Sequence, residues 1–192
     1  MGAPHVLGIL GSTRQGRIGD RVARWFAEVA SERADLTYEP VDLRDWSFPL
    51  LDAARPPARG DYEDPLTVRW AGTVARADAV VLITPEYNHG YPAALKNALD
   101  LVYAEWGRKP VAYVSYGGPG GGVRAVQQLR QVAVELDQVP LRRQVAIPRV
   151  RTALADGAPA DPWYAQSAER MLDDLVWWAR VLAEARAAQQ QV

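Results

Sequence analysis

The chain has 192 residues, 48% hydrophobic and 23% charged, and its 22 Lys and Arg against 23 Asp and Glu leave a formal charge of −1. That length, below the roughly 250 residues at which chains split further, predicts one folded domain over 1–192, and the charge balance speaks against nucleic acid or a membrane surface as partner. With no cysteine and only His5 and His89 as imidazoles, disulfides, thiolate nucleophiles and cysteine metal sites are excluded, so redox chemistry would need a borrowed cofactor.

Residues 6–10 form an apolar run too short for a signal core or the ~20 residues of a membrane span, and no basic segment precedes it. It reads as a core strand of a cytoplasmic chain. A small and basic loop follows, then an amphipathic helix over 22–30. Residues 36–43 alternate as a strand nearer a sheet edge and lead into a loop with Pro49, Pro56, Pro57 and Gly60, long enough to overhang a site. A helix is expected over 66–76, then a β-branched run over 79–84 with the pattern of a strand buried on both faces, ended by Pro85.

The next elements are a helix over 91–103, a strand over 111–116, a helix over 123–136 and a fifth strand over 142–147. Asp156-Gly-Ala-Pro-Ala-Asp-Pro is a turn-rich connection, and 163–188 places Ala168, Met171, Leu172, Leu175 and Ala179 at helical spacing to cover the sheet. This alternation is α/β: a doubly wound, five-stranded parallel sheet of order 2-1-3-4-5. Ligands in such sheets bind beyond the strand C-termini, which selects the loops after Leu10, Thr84 and Ser115.

The first loop, Gly11-Ser-Thr-Arg-Gln-Gly-Arg-Ile-Gly19, joins a buried strand to a helix start, where free amides and the helix dipole favour an anion. Its glycine spacing matches a P-loop, but Arg17 and Ile18 stand where Lys and Ser/Thr are needed. Gly8 and Gly11 give only G-x-x-G, short of a dinucleotide fingerprint, although Asp42 lies where a ribose-binding acid would. The single phosphate of FMN suits a Ser/Thr/Arg loop; a plain polar loop with solvated arginines is the alternative. In the second loop Gly90 and Pro92 fix a turn, and Tyr87 and Asn88 can meet a heteroaromatic ring. In the third, Ser115-Tyr-Gly-Gly-Pro-Gly-Gly-Gly122, glycines let backbone donors approach a flat ring; a flexible connection is the alternative. Trp106, Trp177 and Trp178 read as core or interface aromatics.

Pro85-Glu-Tyr-Asn-His-Gly-Tyr-Pro-Ala-Ala-Leu-Lys-Asn-Ala-Leu-Asp100 resembles the signature of the NADPH-dependent FMN reductase family, which includes flavin, quinone, azo-dye and chromate reductases. Gly11-Ser-Thr-Arg, Ala77-Asp-Ala-Val-Val-Leu-Ile-Thr, Trp106-Gly-Arg-Lys-Pro-Val, Ser115-Tyr-Gly-Gly and Gly122-Val-Arg-Ala extend the resemblance over roughly residues 5–150. It implies a flavodoxin-like fold, with Ser12, Thr13, Arg14, Arg17, Ile18 and Gly19 holding the FMN phosphate and Pro85, Glu86, Tyr87 and Asn88 contacting the isoalloxazine. Ser115, Tyr116, Gly117 and Gly118 are the third contact segment, with donors toward N1 and O2.

The implied reaction is ping-pong: NADPH or NADH gives hydride to flavin N5, and a quinone, azo compound, metal or free flavin takes the electrons. Hydride transfer to N5 needs no protein base, so His89 is read as a turn or packing residue and no catalytic side chain is assigned. Lys96, Asn97 and Asp100 are read as structural or subunit contacts. The resemblance also implies a homodimer or homotetramer, with 91–103 and 121–136 as interface elements. Two alternatives are a flavodoxin-like electron carrier and a reductase supplying free reduced FMN to a monooxygenase.

Overall fold

Seven consecutive residues, Ala79–Pro85, are buried without exception, as are Pro110–Tyr116. A strand shielded on both faces needs side chains that suit a packed pleat at every position, which Ala79-Val-Val-Leu-Ile-Thr supplies. The computed structural model describes residues 2–154 and 157–189; within it these two strands are β3 and β4 of a five-stranded parallel sheet of order β2-β1-β3-β4-β5. The others are β1 (His5–Leu10), β2 (Thr37–Asp42) and β5 (Val139–Ile147). The predicted topology is the observed one. β2 is an edge strand, partly exposed as its alternation implies.

The period of two along each strand divides the core into two layers. On one face Val6, Leu10, Val81, Ile83 and Val114 pack against helices α1 (Gly19–Ser31) and α6 (Trp163–Gln189) through Val22, Phe26, Met171, Leu172 and Leu175. On the other, Leu7, Ile9, Val80, Leu82 and Tyr113 meet α2 (Pro65–Arg76), α3 (Ala93–Asp100) and α4 (Val123–Glu135) through Trp70, Leu95 and Leu129. Gly8 interrupts the first layer because the Tyr38 hydroxyl lies 1.9 Å from where its Cβ would stand. Trp106 belongs to the core, whereas Trp177 is 58% exposed.

Three local expectations change. The helix predicted over 91–103 is shorter, Ala93–Asp100: Pro92 is its N-cap, with extended ψ of 141°, and the chain beyond Leu101 turns into a single 3₁₀ turn at Ala104–Trp106. The fifth strand begins three residues earlier than predicted, at Val139. A four-residue helix, α5 (Val150–Ala153), follows β5 where the sequence offered no periodicity. The predicted turn at 156–162 is described only from Gly157 onward. No helix among the described residues is long and apolar enough to cross a membrane.

The pairings Leu10↔Ile83, Pro85↔Tyr116 and Tyr116↔Ile147 bring the ends of β1, β3, β4 and β5 to one edge of the sheet. The order reverses between β1 and β3, and there the connections on either side diverge to opposite faces and leave a crevice.

Candidate functional site

The loop after β1 leaves the sheet with one backbone bond, Gly11 N–H to the Ile83 carbonyl at 2.9 Å. A turn closed by Arg17 N–H on the Arg14 carbonyl, with Gly16 at φ 63°, then delivers the chain to α1. Among the described residues, no acceptor takes the amides of Ser12, Thr13, Arg14, Gln15, Gly16 or Ile18. α1 has no side-chain cap: its N-cap is Ile18, with an apolar side chain. Uncapped amides at the positive end of a 13-residue helix leave donors and a dipole that favour negative charge.

The side chains of this loop divide. Arg14 is exposed, and its guanidinium has no partner among the described residues. Arg17 differs from expectation: its side chain is only 2% exposed and is bound to both Asp20 and Asp42. A further N–H donates to the Ser12 carbonyl, so this guanidinium braces the loop from within. Asp42, whose position suggested a ribose acid, is the other half of that brace. Gly19 is needed without a side chain, because a Cβ there would stand 2.2 Å from the Tyr116 hydroxyl. Ser12 is buried, and its hydroxyl meets that of Tyr87 at 2.7 Å, joining the first loop to the second.

In the second loop Tyr87 and Gly90 exchange both backbone bonds, at 2.8 and 2.9 Å, around Asn88 and His89 with φ of 49° and 70°. Two left-handed central residues fit a type I′ turn, which Asn tolerates well. Pro85 is buried at the end of β3, while Tyr87 is partly exposed and Asn88 points into solvent. The Glu86 side chain, 9% exposed, accepts from Arg124 Nε at 2.6 Å and from the Arg124 amide at 3.1 Å. It therefore caps α4, whose own N-cap, Gly122, has no side chain to offer. Arg124 also lies 2.9 Å from His89 Nε2. A guanidinium only donates, so Nε2 is the acceptor in that contact.

The glycine loop after β4 is a built structure rather than slack chain. The Ser115 hydroxyl donates to the Gly121 carbonyl at 2.8 Å beneath it, and Gly117 N–H donates to Ile147 at 3.2 Å. Gly121 (φ 61°) passes so close to β5 that a Cβ would lie 3.0 Å from Pro148 N, and Gly122 (φ 85°) sits equally tightly over Tyr116. Gly118 is exposed, with nothing within 4 Å of a would-be Cβ. Burial pushes the Tyr116 phenol above its ordinary range and keeps it neutral.

The three loops share one cleft of about 150 Å³, lined by Arg14, Arg17, Ile18, Pro85, Glu86, Tyr87, Tyr116 and Gly117, and from α5 by Val150 and Arg151. The last two were not anticipated; the only sequence signal was Pro148-Arg-Val-Arg directly after a strand end. Of the predicted residues, Ser115 supports the cleft from below and Thr13 lines a neighbouring cavity with Arg44, Phe48 and Asn97. The long loop expected to overhang the site instead roofs a separate cavity of about 310 Å³ that includes Leu51, Tyr62 and Leu101. Asn97 fastens this loop through the Pro49 carbonyl and the Leu51 amide, and Lys96 pairs with Asp100 along α3 at 2.5 Å.

A family model described as NADPH-dependent FMN reductase matches residues 4–152. The chain is 41% identical over 150 residues to an NAD(P)H-dependent FMN reductase of Schizosaccharomyces pombe, covering 76% of this chain and 74% of that one. It is 35% identical over 145 residues to a quinone reductase of Escherichia coli, covering 72% and 74%. Among solved structures, the flavoenzyme NAD(P)H:(acceptor) oxidoreductase FerB of Paracoccus denitrificans superposes with a TM-score of 0.72 at 25% identity, over 92% of this chain and 97% of that one.

Proposed function

This chain belongs to the NADPH-dependent FMN reductase family, and on that premise we propose that it holds FMN in the three-loop cleft and acts as an NAD(P)H-dependent oxidoreductase toward small-molecule acceptors. The observation that carries this reading is the convergence on one cleft of an uncapped helix start, a tyrosine-bearing turn and a rigid glycine loop. The residues present fit the group. Free amides from Ser12 to Gly16 and the unpaired Arg14 suit a phosphate, and the exposed Tyr87 and Gly118 suit the edge and face of a flat ring.

FMN bound there would supply two-electron redox chemistry between NAD(P)H and the acceptor. The protein's part is position and electrostatics. The Arg17 brace holds the phosphate loop, and the Ser12–Tyr87 bond sets its distance from the ring segment. The Glu86–Arg124 pair anchors that segment to α4. A cleft of about 150 Å³ is too small to enclose a tricyclic ring with its tail, which leaves an outer face open to donor and acceptor in turn. The name of the Escherichia coli relative favours a quinone as acceptor; a cytoplasmic homodimer or homotetramer is proposed on the family resemblance alone.

Anaerobic stopped-flow mixing with NADPH tests the reductase assignment. The oxidised flavin band should bleach and return when a quinone is added. A flavin that stays oxidised at millimolar NADPH and NADH would overturn it in favour of an electron carrier. Yellow colour surviving desalting marks a resident cofactor; colourless protein that oxidises NADPH only when FMN is added marks a reductase releasing reduced flavin.

A further inference from the structure

The sequence pattern directs two guanidiniums of the first loop to the phosphate, but Arg17 is engaged by Asp20 and Asp42, which leaves Arg14. Arg17, Asp20 and Asp42 form a closed cluster whose net charge is negative, so it does not favour a phosphate monoester. A dianion at the start of α1 therefore requires a cation from another part of the chain.

The four-residue helix α5 supplies one. Its position is fixed at both ends: Arg149 N–H donates to the Gly118 carbonyl at 2.9 Å, Val150 N–H to Gly117 at 3.0 Å, and Arg21 of α1 to the Leu154 carbonyl at 3.3 Å. Arg149 takes a left-handed φ of 45° to make the corner, a conformation that costs a non-glycine residue of order 1 kcal/mol and persists only where neighbouring bonds hold it. Arg151 thus projects from a wall tied both to the glycine loop and to α1, and it lines the same cleft as Arg14, Ile18 and Tyr87. Among the described residues neither Arg14 nor Arg151 has a carboxylate or carbonyl partner for its guanidinium. Two cations with no partner among the described residues, on different walls, match a phosphate monoester, which carries about −1.5 to −2 at neutral pH.

We propose that Arg151 is the second cationic ligand of the FMN phosphate, in the place the sequence pattern gives to Arg17. The proposal rests on the FMN reading above. Its chemistry is a charge-assisted contact from outside the three sequence-legible loops, which joins α5 to the cofactor.

Equilibrium titration of the flavin-free full chain, followed by flavin fluorescence, separates a phosphate contact from a ring contact. Arg151→Gln should raise the Kd for FMN tenfold to a hundredfold, the usual range for losing a hydrogen bond to a charged group, and leave that for riboflavin unchanged. Arg14→Gln should show the same signature, and Arg151→Lys should recover part of the loss. The Tm of the flavin-free Arg151→Gln protein should equal the wild-type value, because Arg151 supports no described contact. An unchanged FMN-to-riboflavin affinity ratio in Arg151→Gln overturns the proposal, and so does an equal loss for both flavins. A change confined to the NADPH-to-NADH KM ratio would assign Arg151 to the electron donor and also overturn it. Wild-type protein that binds neither flavin would instead remove the cofactor reading beneath it.

Discussion

At the foot of the cleft, one guanidinium holds two carboxylates together. Burial works against charge on Asp42, but its hydrogen bonds to Arg17 and to the Arg44 amide, with the nearby positive charge, outweigh it and hold its carboxyl below the ordinary carboxylate value. A carboxylate depressed in the folded state stabilises the fold above its unfolded pKa, near 4, and that contribution is lost as pH falls through its folded value. Wild-type stability should therefore fall from about pH 4 downward, and Arg17→Gln should flatten that part of the profile. At pH 7 the same substitution should cost about 1 to 3 kcal/mol, roughly 2–4 °C of Tm per kcal/mol at this chain length. Urea melts of both proteins at several pH values check it; identical acid limbs would mean that the pair does not hold the loop.

Among the elements, α4 begins in a way its own sequence does not explain. Gly122, left-handed at φ 85°, gives the chain its corner but no capping side chain, and the cap comes from Glu86 on the second loop, 38 residues before the Arg124 amide that it accepts from. One carboxylate thereby fixes both the helix start and the turn that carries Tyr87. Glu86→Gln keeps an acceptor but loses the charge that favours the helix dipole and Arg124, which should cost about 1 to 2 kcal/mol. Amide exchange at Tyr87 and Gly90 should quicken more than exchange in β3, and unchanged protection there would dissociate the turn from the cap. α5 and the shortened α3 belong to the same lesson. Four residues carry no helical period, and the end of α3 is set where the chain leaves for a 3₁₀ turn packed by Trp106.

For the whole molecule, the consequence of a sheet buried on both faces is that neither core layer survives without the other, since they share the five strands. Far-UV circular dichroism and tryptophan fluorescence should follow one urea transition, as expected for a single domain; separated transitions would divide it. Leu172→Ala, on the buried face of α6, should cost about 2 to 5 kcal/mol, whereas Trp177→Ala on the exposed side of the same helix should stay within about 0.5 kcal/mol.

The sequence by itself determined the strand order, the two-faced burial of β3 and the three loops that meet at the cleft. These depend on periodicity and turn chemistry, which act between residues close in the chain, and on the rule that parallel α/β sheets bind ligands at their strand ends. The tertiary structure decided which charges are committed within the fold. Arg17 and Asp42 stand 25 residues apart and meet because β2 pairs alongside β1, while Arg151 comes to the cleft from beyond β5 through bonds to the glycine loop. An isolated arginine in a motif promises a free cation, but ion pairing depends on distances in space, and those exist only once the chain has folded.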